Sequence, residues 1–379
     1  MTALREARKW LERASAETMT ALREARPLQI AKGCKDAGQE WLKCASTETM
    51  NARRRLRFCF LLGLLVSAAA TGAALGPSVG AQGGDLLTLS AGARARGMGN
   101  AFSAVSDDAN ALLTNPAGLG TLTYYEIAAL RQNALAGVDQ SNLSLVAPLG
   151  AVSAGNVNGL GTIGVNATFL DYGKLKATDA TGAPIGSVDA EDGLLIVGYG
   201  KSVGPLSAGL NVKRFRLQVG SDRGKGGAYD GGLLWRQPVS PLSFSLAVFN
   251  FGGNYAFESV PQKLPRYATA GMAYRWEDLF TFSAEAVAPK GDPLGGRAGV
   301  EWKVNRVFVL RGGYDSSFNA GKGATVGGGI VLEKLEAGFF PVHSLTADYA
   351  FTPAASTSVG GSESKSGLHS VSISMRIGE

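Results

Sequence analysis

Across residues 123–379 apolar and polar side chains alternate with a period of two. Leu242, Phe244, Leu246 and Val248 alternate with Ser243, Ser245 and Ala247, and Val300, Trp302 and Val304 with Glu301 and Lys303. Val371, Ile373, Met375 and Ile377 alternate with Ser370, Ser372, Ser374 and Arg376. Such alternation places each set on one face of a sheet. Fourteen stretches carry it: 124–134, 141–149, 162–172, 191–202, 205–219, 226–237, 241–251, 266–276, 279–288, 296–304, 307–314, 324–333, 344–352 and 367–377. A soluble sandwich gives the same local signal, so length, number and turns decide. Most stretches run near the roughly 9 to 11 residues that a tilted strand needs to cross a bilayer, against about five or six in soluble proteins. An even number lets the strands close with both termini on one side. The pattern predicts an all-β fold, a closed antiparallel transmembrane β-barrel of about fourteen strands.

The connections alternate too. Short turns at 203–204, 238–240, 277–278 and 305–306 interleave with longer links at 173–190, 220–225, 252–265, 289–295, 315–323 and 353–366. That asymmetry is characteristic of outer-membrane barrels. Two links, 150–161 and 334–343, fit it less well, since both lie on the short side. Trp235, Trp276 and Trp302 each lie within three residues of a short turn, on the strand entering it, and predict part of an interfacial aromatic girdle. The fifth stretch is irregular. Its apolar positions are even at Ala208, Leu210 and Val212 and odd at Phe215, Leu217 and Val219, which predicts a bulge near Lys213–Arg214 or a register change where the strand leaves the membrane.

The start of the chain looks different. Residues 1–49 repeat TALREAR at 2–8 and 20–26 and are rich in charge, Ala and Thr, which reads as a disordered stretch or as an upstream extension that is never translated. Residues 50–81 have the three parts of a secretory signal: a basic start at Arg53, Arg54, Arg55 and Arg57, an apolar run at 58–75, and Val79-Gly80-Ala81 as a small-residue cleavage site. The run approaches the length of a spanning anchor, but its second half is Ala, Gly and Thr, and Gly76-Pro77 interrupts it, so removal is the expectation. Of 37 basic and 31 acidic residues, 13 and 7 fall in 1–81, leaving 24 of each. The basic pI therefore belongs to the leader, and no nucleic-acid partner follows from it. Cys34, Cys44 and Cys59 lie there too, so the exported part has no thiol chemistry or disulfide.

Residues 86–122 carry the densest motif: Gly92-Ala93-Arg94-Ala95, Gly97-Met98-Gly99-Asn100-Ala101-Phe102, Asp107-Asp108-Ala109 and Asn115-Pro116-Ala117-Gly118-Leu119. Weaker pieces follow at Leu264-Pro265, Gly299-Val300-Glu301-Trp302, Leu310-Arg311-Gly312-Gly313-Tyr314 and Asp348-Tyr349-Ala350. Together they resemble the PorV/PorQ group of outer-membrane proteins, within the wider FadL-like family. The resemblance implies a fourteen-stranded barrel, residues 123–379, with residues 82–122 folded inward as a plug or hatch. It implies passage of hydrophobic small molecules across the outer membrane of a Gram-negative-type cell. For the PorV-type relatives it implies instead an accessory barrel that holds secreted protein cargo in a type IX-like system. A structural or general porin is the third reading. Partners are then outer-membrane lipid, the hydrophobic ligand or cargo, and the barrel-assembly machinery. The chain departs from the common ending of such barrels, closing on Arg376-Ile377-Gly378-Glu379 with no terminal aromatic.

Enzyme signatures fail on inspection, and no cofactor or metal is expected. Gly97-Met98-Gly99-Asn100-Ala101-Phe102 has Phe where a dinucleotide fingerprint needs its third Gly. Gly224-Lys225 lacks the Ser/Thr of a phosphate loop, and the two histidines, His343 and His369, have no clustered carboxylates at ligand spacing. Asp107-Asp108 invites a cation site; capping of a short helix at 109–113 is the better reading. Asn115-Pro116 predicts a sharp turn inside the lumen, with Ala117 and Gly118 completing the motif. Glu285, Glu301, Lys303 and Arg311 are expected to face the lumen.

Overall fold

The structure, a computed structural model, describes residues 85–89, 91–133, 138–150, 159–178, 181–236, 239–257, 260–317, 323–337, 340–353, 357–359, 362–364 and 367–378. The expected signal and the extension before it lie outside the described residues. The wall begins with β1 (Tyr125–Asn133), β2 (Asp139–Pro148), β3 (Thr162–Thr178), β4 (Pro184–Val203), β5 (Leu206–Val219), β6 (Asp222–Arg236) and β7 (Leu242–Phe251). A small hairpin, β8 (Tyr255–Phe257) and β9 (Val260–Gln262), is added to the edge of β6. The wall continues with β10 (Tyr267–Trp276), β11 (Phe280–Pro289), β12 (Gly295–Lys303), β13 (Phe308–Asp315), β14 (Gly323–Ala337) and β15 (Phe340–Thr352). A second hairpin, β16 (Thr357–Val359) and β17 (Ser362–Ser364), precedes the closing strand β18 (Leu368–Ile377). β1 pairs with β18 and β5 with β6, so fourteen antiparallel strands form a closed ring with no free edge in the wall.

Burial explains why this ring suits lipid. On β5 the pattern alternates from Leu206 to Leu217, with Ser207, Asn211 and Lys213 buried and Leu206, Leu210 and Val212 exposed. The same inversion runs round the wall: Leu145, Val165, Val197, Leu246, Leu310, Ile330 and Ile373 are exposed, while Ser144, Asn166, Ser245, Glu301 and Ser370 are buried. Apolar-out, polar-in burial is unfavourable in water and favourable in a bilayer core.

Two expectations at the strand ends need correction. The link at 173–190 is mostly strand, since β3 and β4 continue as a hairpin with Lys174 opposite Asp189 and Leu175 opposite Val188. β5 contains neither a bulge nor a register change: it pairs without a break from Leu206 opposite Val203 to Val219 opposite Ala190. The parity flip is chemical. Beyond Lys213 the outer face turns from Leu210 and Val212 to Arg214 and Arg216, while the inner face turns from Asn211 to Phe215 and Leu217. The strand leaves the apolar band with its geometry unchanged. The 334–343 link also shortens, because β14 reaches Ala337 and β15 starts at Phe340, and it joins the short-turn side.

Residues 85–89 and 91–122 pack within the ring. They form a 3-10 turn at Asp85–Leu87, helices α1 (Ala93–Gly97) and α2 (Ala111–Thr114), and a second 3-10 turn at Pro116–Thr121. Pro116 occupies the first turn position, where its missing N–H is no loss, and the Asn115 side chain accepts the Ala117 N–H at 3.0 Å. Wall glycines let this segment approach closely. Gly209 and Gly232, paired across β5 and β6, lie against Asn115 and Pro116, where a side chain would collide. Gly99 takes φ 60° between the backbones of Ala298 and Tyr314, a position open to glycine alone.

Candidate functional site

The interior divides into a polar lock and an apolar cluster. The lock centres on Arg94 of α1. Its guanidinium makes a bidentate pair with Glu301 of β12, at 2.9 and 3.0 Å, and also reaches Asp107 at 2.6 Å and Asp108 at 3.1 Å. Glu301 in turn holds Arg311 of β13 at 2.7 Å, and Arg311 holds Asp348 of β15 at 2.7 Å. Asp107 also meets Arg275 of β10 at 2.9 Å, and Arg376 of β18 donates to the Asp107 carbonyl at 2.8 Å. A second group fastens the other flank: Arg297 bridges Glu285 and Asp315, while Glu285 accepts the Ser103 N–H and Asp315 the Asn100 amide. The inner segment is thus tied to the wall from several sides by charge-assisted bonds of the stronger kind.

The paired aspartates differ. Burial opposes charge on Asp107, but Arg94, Arg275, Arg236 and Arg376 outweigh it and hold that carboxyl far below the usual range. Burial dominates at Asp108 and pushes its carboxyl up; Arg94 opposes the rise and the neighbouring Asp107 charge adds to it. The capping expectation is corrected here. Asn110 is the residue before α2 and its side chain caps nothing, whereas Asp108 accepts the Asn110 N–H at 3.0 Å one step earlier. Both aspartates serve chiefly as partners of arginine. Among the described residues no group of His, Cys, Asp and Glu has metal-site geometry.

On the side of the long connections Lys213, Asp230 and Asn250 form a buried triad. The lysine Nζ lies 2.9 Å from both Asp230 and the Asn250 side-chain oxygen. A bulge in β7 makes this possible, because Asn250 has φ 60° and the β6–β7 register shifts between Tyr229 and Gly231. The turned-in Asn250 amide also donates to the carbonyls of Leu87 and Pro265. Around the triad the lining becomes apolar: Leu170, Leu194, Ile196, Phe215, Leu217 and Tyr255 pack with Leu86 and Leu87 of the inner segment. Phe215 and Tyr255 meet edge to face at 5.3 Å.

Of the residues expected to face the lumen, Glu285, Glu301 and Arg311 are buried on the inner face. Lys303 is a correction: it shares the parity of Glu301 but is exposed at the very end of β12, beside the turn. Asn115 is fully buried and donates to the carbonyls of Ser103 and Leu233; Pro116, Ala117 and Gly118 are buried beside it. Trp276 and Trp302 are exposed on the outer face on either side of Phe280, with ring separations of 5.9 and 5.8 Å, and half-buried Trp235 lies 5.8 Å from Phe244. Sequence reasoning assigned no role to Arg94, Arg275, Arg297 or Arg376. Hairpin symmetry was the missed signal: Glu301 and Arg311 fall opposite one another about the 304–307 turn, as do Arg297 and Asp315.

No family model matches the sequence, and no curated protein does. Among solved structures the chain is similar to the toluene transporter TodX of Pseudomonas putida, with a TM-score of 0.50 and 12% identity, over 76% of this chain and 96% of that one. A FadL homologue of Pseudomonas aeruginosa aligns at TM-score 0.44 and 12% identity over 76% and 98%. The monoaromatic hydrocarbon channel CymD aligns at 0.45 and 12% over 76% and 96%. The fold shared with TodX is the closed antiparallel β-barrel.

Proposed function

We propose that this chain is an outer-membrane channel for hydrophobic small molecules, exported by the 50–81 signal and closed by residues 85–122 acting as a plug. One observation carries the reading: the half of the lumen toward the long connections is lined by Ile196, Phe215, Leu217 and Tyr255. A lumen built for water and ions keeps a polar lining; an apolar one binds apolar solutes by removing their surface from water. The likeness to a toluene transporter over nearly its whole length supports the same direction. Affiliation with the PorV/PorQ group rests on the motif at 92–119 and is part of the proposal.

Mass spectrometry of the full chain, gently extracted from its native membrane, tests it. The expected result is a stoichiometric apolar compound that is retained by the wild type and lost from Phe215→Asp while the barrel stays folded. A stoichiometric envelope protein with no small molecule overturns the reading in favour of cargo binding.

A further inference from the structure

The outer surface of β5 and β6 changes chemistry sharply at one height. Below it, Leu206, Ala208, Leu210 and Val212 face outward on β5, and Leu233 and Tyr229 on β6. Above it come Arg214 and Arg216 on β5, and Lys225 and Arg223 on β6, all exposed. Register makes these four a single patch: Arg216 lies directly opposite Lys225, and Arg223 opposite Gln218 two positions further on. Arg216 pairs with exposed Glu191 at 3.3 Å, a contact worth little in water. Arg214, Arg223 and Lys225 have no ion-pair partner among the described residues.

Height follows from the strand rise. Leu206 pairs with Trp235 at the short-turn boundary. From Leu206 to Arg214 the strand climbs about 27 Å, or about 20 Å along the membrane normal once barrel tilt is allowed for, close to the height of the apolar band. Tyr229, exposed at the level of Val212, is the amphipathic residue expected just beneath such a boundary. The patch therefore sits in the headgroup layer of the leaflet on the long-connection side.

A second observation lies beneath it on the same strands. The outer face of β4–β7 is hollowed where Ala208 and Gly231 replace large side chains, leaving an apolar groove of about 520 Å³ walled by Tyr199, Leu210, Leu233, Leu246 and Val248. Its upper end, at Leu210 and Gly231, is four residues below Arg214, about 13 Å along the strand. Cationic groups in the headgroup layer directly above a chain-wide apolar groove match one partner chemistry: a lipid with phosphate on its headgroup and an acyl chain beneath.

We infer that this face is a specific site for a phosphorylated glycolipid of the outer leaflet. Its phosphates are held by Arg214, Arg216 and Lys225, and one acyl chain lies in the groove over Ala208 and Gly231. The site is independent of whatever crosses the lumen, since all of these side chains point away from it.

The test uses the full chain in mild detergent, mixed with bis-phosphorylated lipid A or with the same lipid stripped of phosphate, and counts bound lipid by native mass spectrometry. Heat-shifted gel mobility verifies that each variant is a folded barrel. The expected result is one tightly retained lipid A per barrel. Retention falls at least tenfold without phosphate and in the Arg214→Gln/Arg216→Gln/Lys225→Gln variant, and is unchanged in Arg131→Gln, an exposed outer-face arginine on β1. Gly231→Leu, which fills the groove and spares the cations, lowers retention several-fold. Equal retention in the triple variant, or retention indifferent to phosphate, overturns the proposal.

Discussion

Replacing Arg94 with Met removes the charge at the centre of the lock and keeps most of the side-chain volume. The guanidinium bonds Glu301 twice, Asp107 and Asp108, and lies 5.1 Å from the Phe102 ring. Breaking a buried ion pair by removing one partner costs about 3–5 kcal/mol, because the remaining charge is uncompensated. Here the loss falls at the lower end of that range. Glu301 keeps Arg311, Asp107 keeps Arg275, and at Asp108 burial already disfavours the charge, so less is lost with its partner. We expect about 3 kcal/mol, roughly a hundredfold in the docking equilibrium of the inner segment at 1.4 kcal/mol per decade. The strand ladders are untouched, so the loss is local. Hydrogen exchange read by mass spectrometry checks it: amides of residues 93–121 exchange about a hundred times faster, and those of β10–β15 at the wild-type rate. Unchanged exchange in 93–121, or an equal rise in the wall, refutes the reasoning.

Other outcomes follow from the same geometry. Gly99→Ala forces a side chain onto a left-handed backbone held between Ala298 and Tyr314, and should weaken docking by about 1–3 kcal/mol in the same exchange assay. The two aspartates should respond oppositely: Asp107→Asn loosens the segment, since a carboxyl with a depressed pKa stabilises while ionised, whereas Asp108→Asn leaves it as tight or tighter, since a raised pKa means ionisation opposes docking. For the same reason acidification from about pH 7 to about pH 5 should leave the segment docked, because the stability from Asp107 is lost only as the pH falls through the ordinary carboxylate range and below, and any protonation of Asp108 favours docking; limited proteolysis across that window reads this. Phe280→Ala interrupts the outer stack with Trp276 and Trp302 and should lower barrel stability in a urea titration by about 1 kcal/mol beyond its area loss, leaving the lumen unaffected.

The strands were legible because lipid imposes a strict rule: wherever the wall touches the membrane, one face must be apolar, and the period of two shows through. The rule ends at the membrane boundary, which is why the tops of β3 and β4 read as a loop. There apolar and polar side chains alike are exposed, Lys174 beside Leu175 on β3 and Ile185 and Ser187 on β4, so no face has to be apolar and the period of two fades. The flip on β5 was visible in the sequence, yet only pairing distinguishes a strand that changes solvent from one that changes register. The lock was half legible. Asp107, Asp108 and Asn115 stood out as a motif, but Arg94 gains its meaning from Glu301, 207 residues away, and such a partnership is fixed by closure of the ring.

The central claim, that the wall encloses a path for apolar solutes, is tested most directly by uptake in cells whose own channels are deleted. Cells expressing the full chain should accumulate a labelled monoaromatic hydrocarbon faster than vector controls and a labelled disaccharide no faster, with Phe215→Asp abolishing the difference while the protein remains folded in the outer membrane. Equal entry of both solutes, or hydrocarbon entry indifferent to Phe215→Asp, contradicts the account.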